Sequence, residues 1–405
     1  MSTVCSIFSQ VLKLIPRTDF DSAVHKHAAE RNAKGFTCWG QLVAMLFCQL
    51  GSVNSLRDIT NGLAASEGKL RHLGLPAAPK RSTLAYANAH RPSALFEDLF
   101  YRILEVARSQ AQQAGARHKF RFKNKLLSID ATTIELCASV FDWAQFRRTK
   151  GAVKLHLMLD HDGLLPCFGV ITDGKQHEVT VTRQWEFAPG TILVFDRGYT
   201  DYNWFERLTR QGVYFVTRLK TNADFIVVED RPLPQRKGLV SDQIICMTQQ
   251  AAESDTPPMM RRIEFYDEEQ QRTLVFLTNN MKLAAATVAE IYKNRWQIEL
   301  FFKALKQSCK VKTFVGTSAN ALKTQIWTAL IAMLLVKILH MKSTFGWHLS
   351  NFMVLLRQQL FVYRDLWKWI NDPFQAPETP PTSQLELAFG RLGQQNLSTQ
   401  ALSHN

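Results

Sequence analysis

Four residues between Tyr292 and Lys306 carry side chains able to hold a phosphodiester and a metal ion together. Tyr292, Arg295, Glu299 and Lys306 stand at offsets of 0, 3, 7 and 14 residues. At about 100° per residue of α-helix they fall near about 0°, −60°, −20° and −40°, a band about 60° wide. The stretch Ile291–Lys312 around them is amphipathic and free of Gly and Pro, so the spacing predicts one helix. A phenol, a guanidinium and an ammonium suit phosphate oxygens, with Arg295 capable of a bidentate grip. Glu299, on the same band, is an oxygen ligand.

Two further acids match Glu299 by their placement. Asp130 follows the apolar Leu126, Leu127 and Ile129, and Asp196 ends the apolar run TILVFD (191–196). Three carboxylates brought together repel, and they stay ionised together only around positive charge. Oxygen-only ligands select hard cations, so Mg²⁺ or Mn²⁺ is the expected occupant. Two such ions about 4 Å apart can activate a water or a 3′-hydroxyl and stabilise a phosphodiester's leaving oxygen. Each acid also has a plainer reading. Asp196 in an Asp-Arg-Gly-Tyr run is good turn chemistry, and Glu299 between Arg295 and Lys303 can form a helix ion-pair ladder. Asp160, Asp162, Asp173 and Asp201 are comparable competitors by position.

The elements that must position these residues change character along the chain. Residues 1–117 read as short helices joined by tight turns, forming a helical DNA-binding domain. Within it Ser82 is the expected N-cap of the helix TLAYANAHR, and Arg81, His90 and Arg91 surround that helix as they would in a helix-turn-helix reader. A scaffold that binds nothing fits the same pattern. HKFRFKNK (118–125) alternates aromatic and basic residues, so Lys119, Arg121 and Lys123 could follow a phosphate backbone or simply be solvated. Residues 118–221 then read as α/β: strands at 126–136, 151–160, 165–174, 191–196 and 213–220, with a helix at 202–211. Three strands in succession, then alternation with helices, predict a mixed sheet flanked by helices. A β-rich insertion is expected at 222–280, the second part of the core with C-terminal helices at 281–371, and a Pro-containing mobile tail at 372–405.

The net charge is +14, and it is concentrated. Residues 1–125 hold 18 Lys/Arg against 8 Asp/Glu, and Leu300–Arg364 holds nine Lys/Arg and no acid. Such clustering points to a polyanion partner, with nucleic acid ahead of an anionic membrane. The seven Cys include no C-x-x-C pair, which fits reduced, buried thiols better than disulfides or a zinc site. The start of the chain lacks the marks of a signal peptide. The longest apolar run, Ile326–Val336, is too short to span a bilayer and fits a core helix. A cytoplasmic protein without membrane contact is expected.

Asp196-Arg197-Gly198-Tyr199 followed by Tyr292-x2-Arg295-x3-Glu299-x6-Lys306 resembles the signature of the DDE transposases of the insertion-sequence-four family. Asp130 in LSIDATTI matches the first acid, and the order acid, acid, β-rich insertion, acid is the family's. The resemblance covers most of residues 1–370. It implies an RNase H-like core in which Asp130, Asp196 and Glu299 hold two Mg²⁺ (or Mn²⁺) ions. Tyr292, Arg295 and Lys306 would grip phosphates, and Arg197 and Tyr199 are further candidate DNA contacts. The implied partners are double-stranded DNA, as transposon terminal inverted repeats and target, and a second copy of the chain in a synaptic homodimer within the bacterial cytoplasm or nucleoid. Family members cut the transposon ends, commonly through a hairpin, and join the 3′ ends to target DNA. The insertion offers no Trp to hold a flipped base, which leaves Phe265 or Tyr266 for that task. The alternatives are a catalytically inactive DNA-binding derivative and an RNase H-like nuclease.

Overall fold

The structure is a computed structural model. It describes residues 5–374 except 32, 34, 67, 114–119, 138–140, 142, 144, 148–149, 234–237, 254–256 and 312. Lys119, Lys312 and nearly all of the expected tail therefore lie outside the described residues.

The chain opens with α1 (Ile7–Leu12), α2 (Arg17–Lys26), α3 (Cys38–Leu50), α4 (Leu56–Ala64), α5 (Arg81–His90) and α6 (Ala94–Gln113). The Thr37 and Ser55 hydroxyls accept from the N–H groups of Gly40 and Asp58, which starts α3 and α4. Ser82 is not the cap of α5. Lys80 stands there without a side-chain bond, and Ser82 lies inside the first turn.

Ten strands follow: β1 (Leu126–Cys137), β2 (Gln145–Arg147), β3 (Lys150–Asp160), β4 (Leu165–Asp173), β5 (Ile192–Val194), β6 (Tyr214–Arg218), β7 (Phe225–Asp230), β8 (Leu239–Met247), β9 (Met260–Asp267) and β10 (Arg272–Thr278). Between and after them run α7 (Glu178–Thr182), α8 (Tyr202–Arg210), α9 (Thr248–Glu253), α10 (Ala285–Asn294), α11 (Trp296–Ser308), α12 (Ala319–Lys342), α13 (Leu349–Gln359) and α14 (Leu366–Asn371). All ten strands join one mixed sheet in the order β2-β3-β1-β5-β6-β10-β9-β8-β7, with β4 also on β3. β1 is antiparallel to β3 and parallel to β5, which is in turn parallel to β6. The expected insertion is thus β-rich but does not stand apart. β10 bonds to β6 and prolongs the central sheet.

Two apolar cores hold this arrangement. The larger runs without a break from Ile7 to Ile370 and unites the N-terminal helices with the sheet. Its axis is α12, apolar on all sides, which packs on α6, α3, α5 and β4. At 24 residues α12 is much longer than the apolar run read from the sequence, and its length and composition alone would let it cross a membrane. Here it is buried among the chain's own helices, where an all-round apolar helix belongs. The smaller core sets Leu126, Val194, Val216 and Phe276 against Val288 and Ile291 of α10. The six Cys with described side chains are buried and free, as expected.

One buried ion pair ties the outer strands to the site. Arg261 on β9 donates to both carboxylate oxygens of Asp242 on β8, at 2.8 and 2.6 Å, with both side chains almost fully buried. The same guanidinium donates to the Leu283 carbonyl at 2.6 Å, just ahead of α10. Removing the acid leaves a buried cation without its counter-charge. Asp242→Ala should therefore cost about 3–5 kcal/mol, read as a lower urea midpoint; a change under about 1 kcal/mol would mean that the pair does not stabilise the sheet.

Candidate active site

Strand register brings the first two acids together. Ser128 on β1 pairs with Val194 on β5, and Val194 with Val216 on β6. Two residues further along each chain lie Asp130, Asp196 and Arg218. Asp130 therefore lies inside the strand read over 126–136. β1 runs on to Cys137, and Asp130 sits where its neighbour β5 has stopped. Past the end of β5, Asp196 starts a 3₁₀ turn over Arg197–Tyr199, and its Oδ1 accepts from the Gly198 N–H at 2.7 Å. A Cβ at position 198 would come within 2.8 Å of that same oxygen, so any larger residue there would push the Asp196 carboxylate aside.

The third acid arrives on a broken helix. The one helix expected over Ile291–Lys312 is two, α10 and α11, meeting at Arg295 and ending at Ser308. Around the junction the bonds tighten to i→i+3: the Arg295 N–H donates to the Tyr292 carbonyl and the Ile298 N–H to the Arg295 carbonyl, each at 3.1 Å. The predicted band nevertheless forms. The Arg295 guanidinium hydrogen-bonds Glu299, lies 3.8 Å from Asp130 Oδ2 and sits 5.6 Å from the Tyr292 ring centre. Lys306 donates to the Thr133 carbonyl on β1 at 3.1 Å. Asp130, Thr132, Glu299, Phe302, Lys303 and Lys306 line an open groove of about 470 Å³. Lys303 points into this groove and forms no ion pair with Glu299, so the helix ladder is Arg295–Glu299 alone.

Charge balance in the groove is unfavourable. Burial pushes the Asp130 carboxyl up to about 7, and the nearby Asp196 and Glu299 add to the rise. The Ala131 N–H, 2.8 Å from Asp130 Oδ1, and the Arg295 charge work against it without prevailing. Burial opposes the charge on Arg295 too, but Tyr292, Glu299 and Asp130 outweigh it and its pKa rises. One guanidinium thus serves two of three neighbouring acids. The donors are all oxygens of the hard type that Mg²⁺ or Mn²⁺ takes. As the side chains stand, no three acidic, His or Cys groups among the described residues converge closely enough to form a ready ligand set.

Other sequence candidates separate clearly. Tyr199 is fully buried, so it is not a surface DNA contact; its hydroxyl has no hydrogen bond among the described residues, and its pKa is raised well above the phenol range, chiefly by burial with Asp130 close by. Arg197, Arg81, Arg121 and Lys123 are exposed. In the Phe120–Lys125 segment the aromatics turn inward and stack at 4.9 Å, which leaves the cations outward. Arg91 is committed to the fold: it donates to the Thr37 carbonyl at 2.9 Å, to Gln41 and to Phe36. Phe265 is packed against the smaller core, and the Tyr266 hydroxyl donates to Gln271 at 2.9 Å. Two of the competitors are engaged elsewhere: Asp160 pairs with Lys125 at 3.0 Å, and Asp201 caps α8. Arg218, beside Asp196 by register and close enough to oppose the burial-driven rise of the Tyr292 pKa, was missed. Only the strand register identifies it.

The raised Asp130 pKa has a stability consequence. Its folded value lies above the unfolded carboxylate's, so the native state binds the extra proton and loses stability as pH rises from about 4 to about 7. Asp130→Asn abolishes that loss. With chelator present the variant should melt above the wild type, by a margin that widens from pH 5 to pH 8; a margin that does not change with pH would show that Asp130 titrates normally.

Comparison with known proteins gives the family. The family model described as a transposase DDE domain matches residues 121–335, and a domain of unknown function, DUF4372, matches residues 3–76. A protein named as transposase y4zB, from Sinorhizobium fredii, is 30% identical over 72% of this chain and 80% of its own length. A protein named as the transposase of insertion sequence element IS5377, from Geobacillus stearothermophilus, is 28% identical over 60% of this chain and 64% of its own. The piggyBac transposase synaptic complex with hairpin DNA aligns over 94% of this chain and 83% of that one, at 10% identity and a TM-score of 0.41. The chain belongs to the DDE transposases of insertion sequences, metal-dependent enzymes that cut and transfer DNA.

Proposed function

We propose that this transposase binds the terminal inverted repeats of its insertion sequence, cleaves DNA at the element ends and joins the 3′ ends to target DNA. Asp130, Asp196 and Glu299 are the catalytic carboxylates, and they hold two Mg²⁺ or Mn²⁺ ions. The observation that carries this reading is the register of β1 on β5, which sets Asp130 beside Asp196, with Arg295 joining Asp130 to Glu299. The strand order β4-β3-β1-β5-β6, with β3 antiparallel and β5 and β6 parallel to β1, supports an RNase H-like core. Bound metal supplies activation of the attacking hydroxyl and charge stabilisation of the leaving oxygen.

The chain's own residues supply position. Tyr292, Arg295 and Lys306 grip phosphates near the cleaved end, and Arg197 lies exposed on the turn after Asp196. Arg121 and Lys123 are exposed ahead of β1 and can meet the duplex backbone, and the helical region 1–117 binds the repeat. Two copies act together in a synaptic complex in the cytoplasm. Arg295 has a second task while metal is absent, because its guanidinium is the only cation paired with Asp130 and Glu299 among the described residues.

With a labelled terminal-repeat duplex and Mg²⁺, Glu299→Gln should lower cleavage at least about a hundredfold while gel-shift affinity stays within a factor of two or so. Arg295→Ala should instead weaken the complex and blur the cleavage position. Wild-type nicking by Glu299→Gln with binding intact sinks the metal role, and identical defects in the two variants sink the division of labour.

A further inference from the structure

We infer that the outer face of α5 reads base edges of the element's end in the DNA major groove, through Tyr86 and His90. This rests on the chain acting at terminal repeats. The inner face of α5 is Leu84, Ala87 and Asn88, packed toward α12, α4 and α3. Its backbone is pinned: Asn320 at the start of α12 donates to the carbonyls of Asn88 and Arg91 at 2.9 and 2.6 Å. Ser82, Tyr86 and His90, four residues apart, line the outer face with the small Ala85 and Ala89 beside them. A ten-residue helix is about 15 Å long, and a slim face of this kind can enter a groove about 12 Å wide.

The aromatic pair is ordered before any partner arrives. Tyr86 is 67% exposed, yet its ring stacks on His90 with centroids 4.0 Å apart and planes 19° from parallel. His90 Nδ1 lies 2.9 Å from the Tyr86 carbonyl oxygen. A carbonyl only accepts, so Nδ1 carries the proton and, in the neutral ring, Nε2 is an acceptor. That acceptor matches the exocyclic amine of cytosine or adenine in the major groove, and the Tyr86 hydroxyl can donate or accept beside it. Two large polar rings held in one orientation on an exposed helix lose little further freedom on binding.

Charge identifies the partner as a polyanion. From Gly68 to Phe96 the chain has five Lys/Arg and no Asp or Glu. Arg91 is spent on the fold, but Lys80 and Arg81 stand exposed at the start of α5 and can meet the backbone phosphates that flank the groove. Phosphate contacts position the helix, and the Tyr86–His90 pair supplies sequence discrimination.

Fluorescence anisotropy with two duplexes tests this: the terminal repeat flanking the gene, and a shuffled duplex of the same composition, at fixed salt. Tyr86→Ala and His90→Ala should each cut the preference for the repeat roughly tenfold and leave shuffled-duplex binding unchanged, whereas Lys80→Ala should weaken both duplexes alike. Both side chains are exposed, and an unchanged melting temperature confirms that each variant is folded. If the wild type prefers the repeat and both variants keep that preference, α5 is not the reader and only this inference falls. If the wild type shows no preference for the repeat, the terminal-repeat reading falls with it.

Discussion

Three residue pairs between β1 and β5 impose the constraint on which the site depends. Parallel pairing of Leu126–Ser128 with Ile192–Val194 carries two acids to neighbouring positions at the end of a short strand. Like charges at that separation raise each other's energy, and burial among strands and helices makes it worse for Asp130. Much of the surrounding structure can be understood as management of that repulsion. The Gly198 and Ala131 N–H groups point at the two carboxylates, and Arg295 reaches across to Asp130 from the facing helix. A divalent cation among the carboxylates would relieve the same repulsion more completely than a single guanidinium does.

The helix break at Arg295 falls at the same cluster of charge. Arg295 stands there between the Tyr292 ring and the carboxylates of Glu299 and Asp130. α10 is held by the smaller core against β6 and β10, and α11 packs over β1. The two halves are thus anchored to different parts of the sheet, and the junction between them is where charge is concentrated. The buried Arg261–Asp242 pair, which also holds the Leu283 carbonyl, extends this anchoring to the outer strands.

The N-terminal helices are not a loosely tethered module. They share a continuous apolar core with α12, and polar ties such as Asn320 to Asn88 and Arg91 fix the position of α5 relative to the sheet. A DNA duplex bound along α5 would therefore meet the catalytic groove at a set distance and angle, as cleavage at one defined phosphate requires.

The sequence by itself determined the chemistry of the site. The types and spacing of Tyr292, Arg295, Glu299 and Lys306 encode one helical face, and the apolar runs before Asp130 and Asp196 encode strands, because both signals are local periodicities of the chain. Tertiary packing, not the alternation itself, turned the rings of Phe120 and Phe122 inward. Tertiary structure decided what depends on residues far apart in sequence. It ended β5 short of Asp130 while β1 continues along β3, and it buried Tyr199 beneath the acids. It spent Arg91 on Phe36, Thr37 and Gln41, and it aligned Arg218 with Asp196. It also fused the expected insertion to the central sheet through β10 and β6. Register and burial are set by which surfaces meet, and no local pattern in a single chain records that.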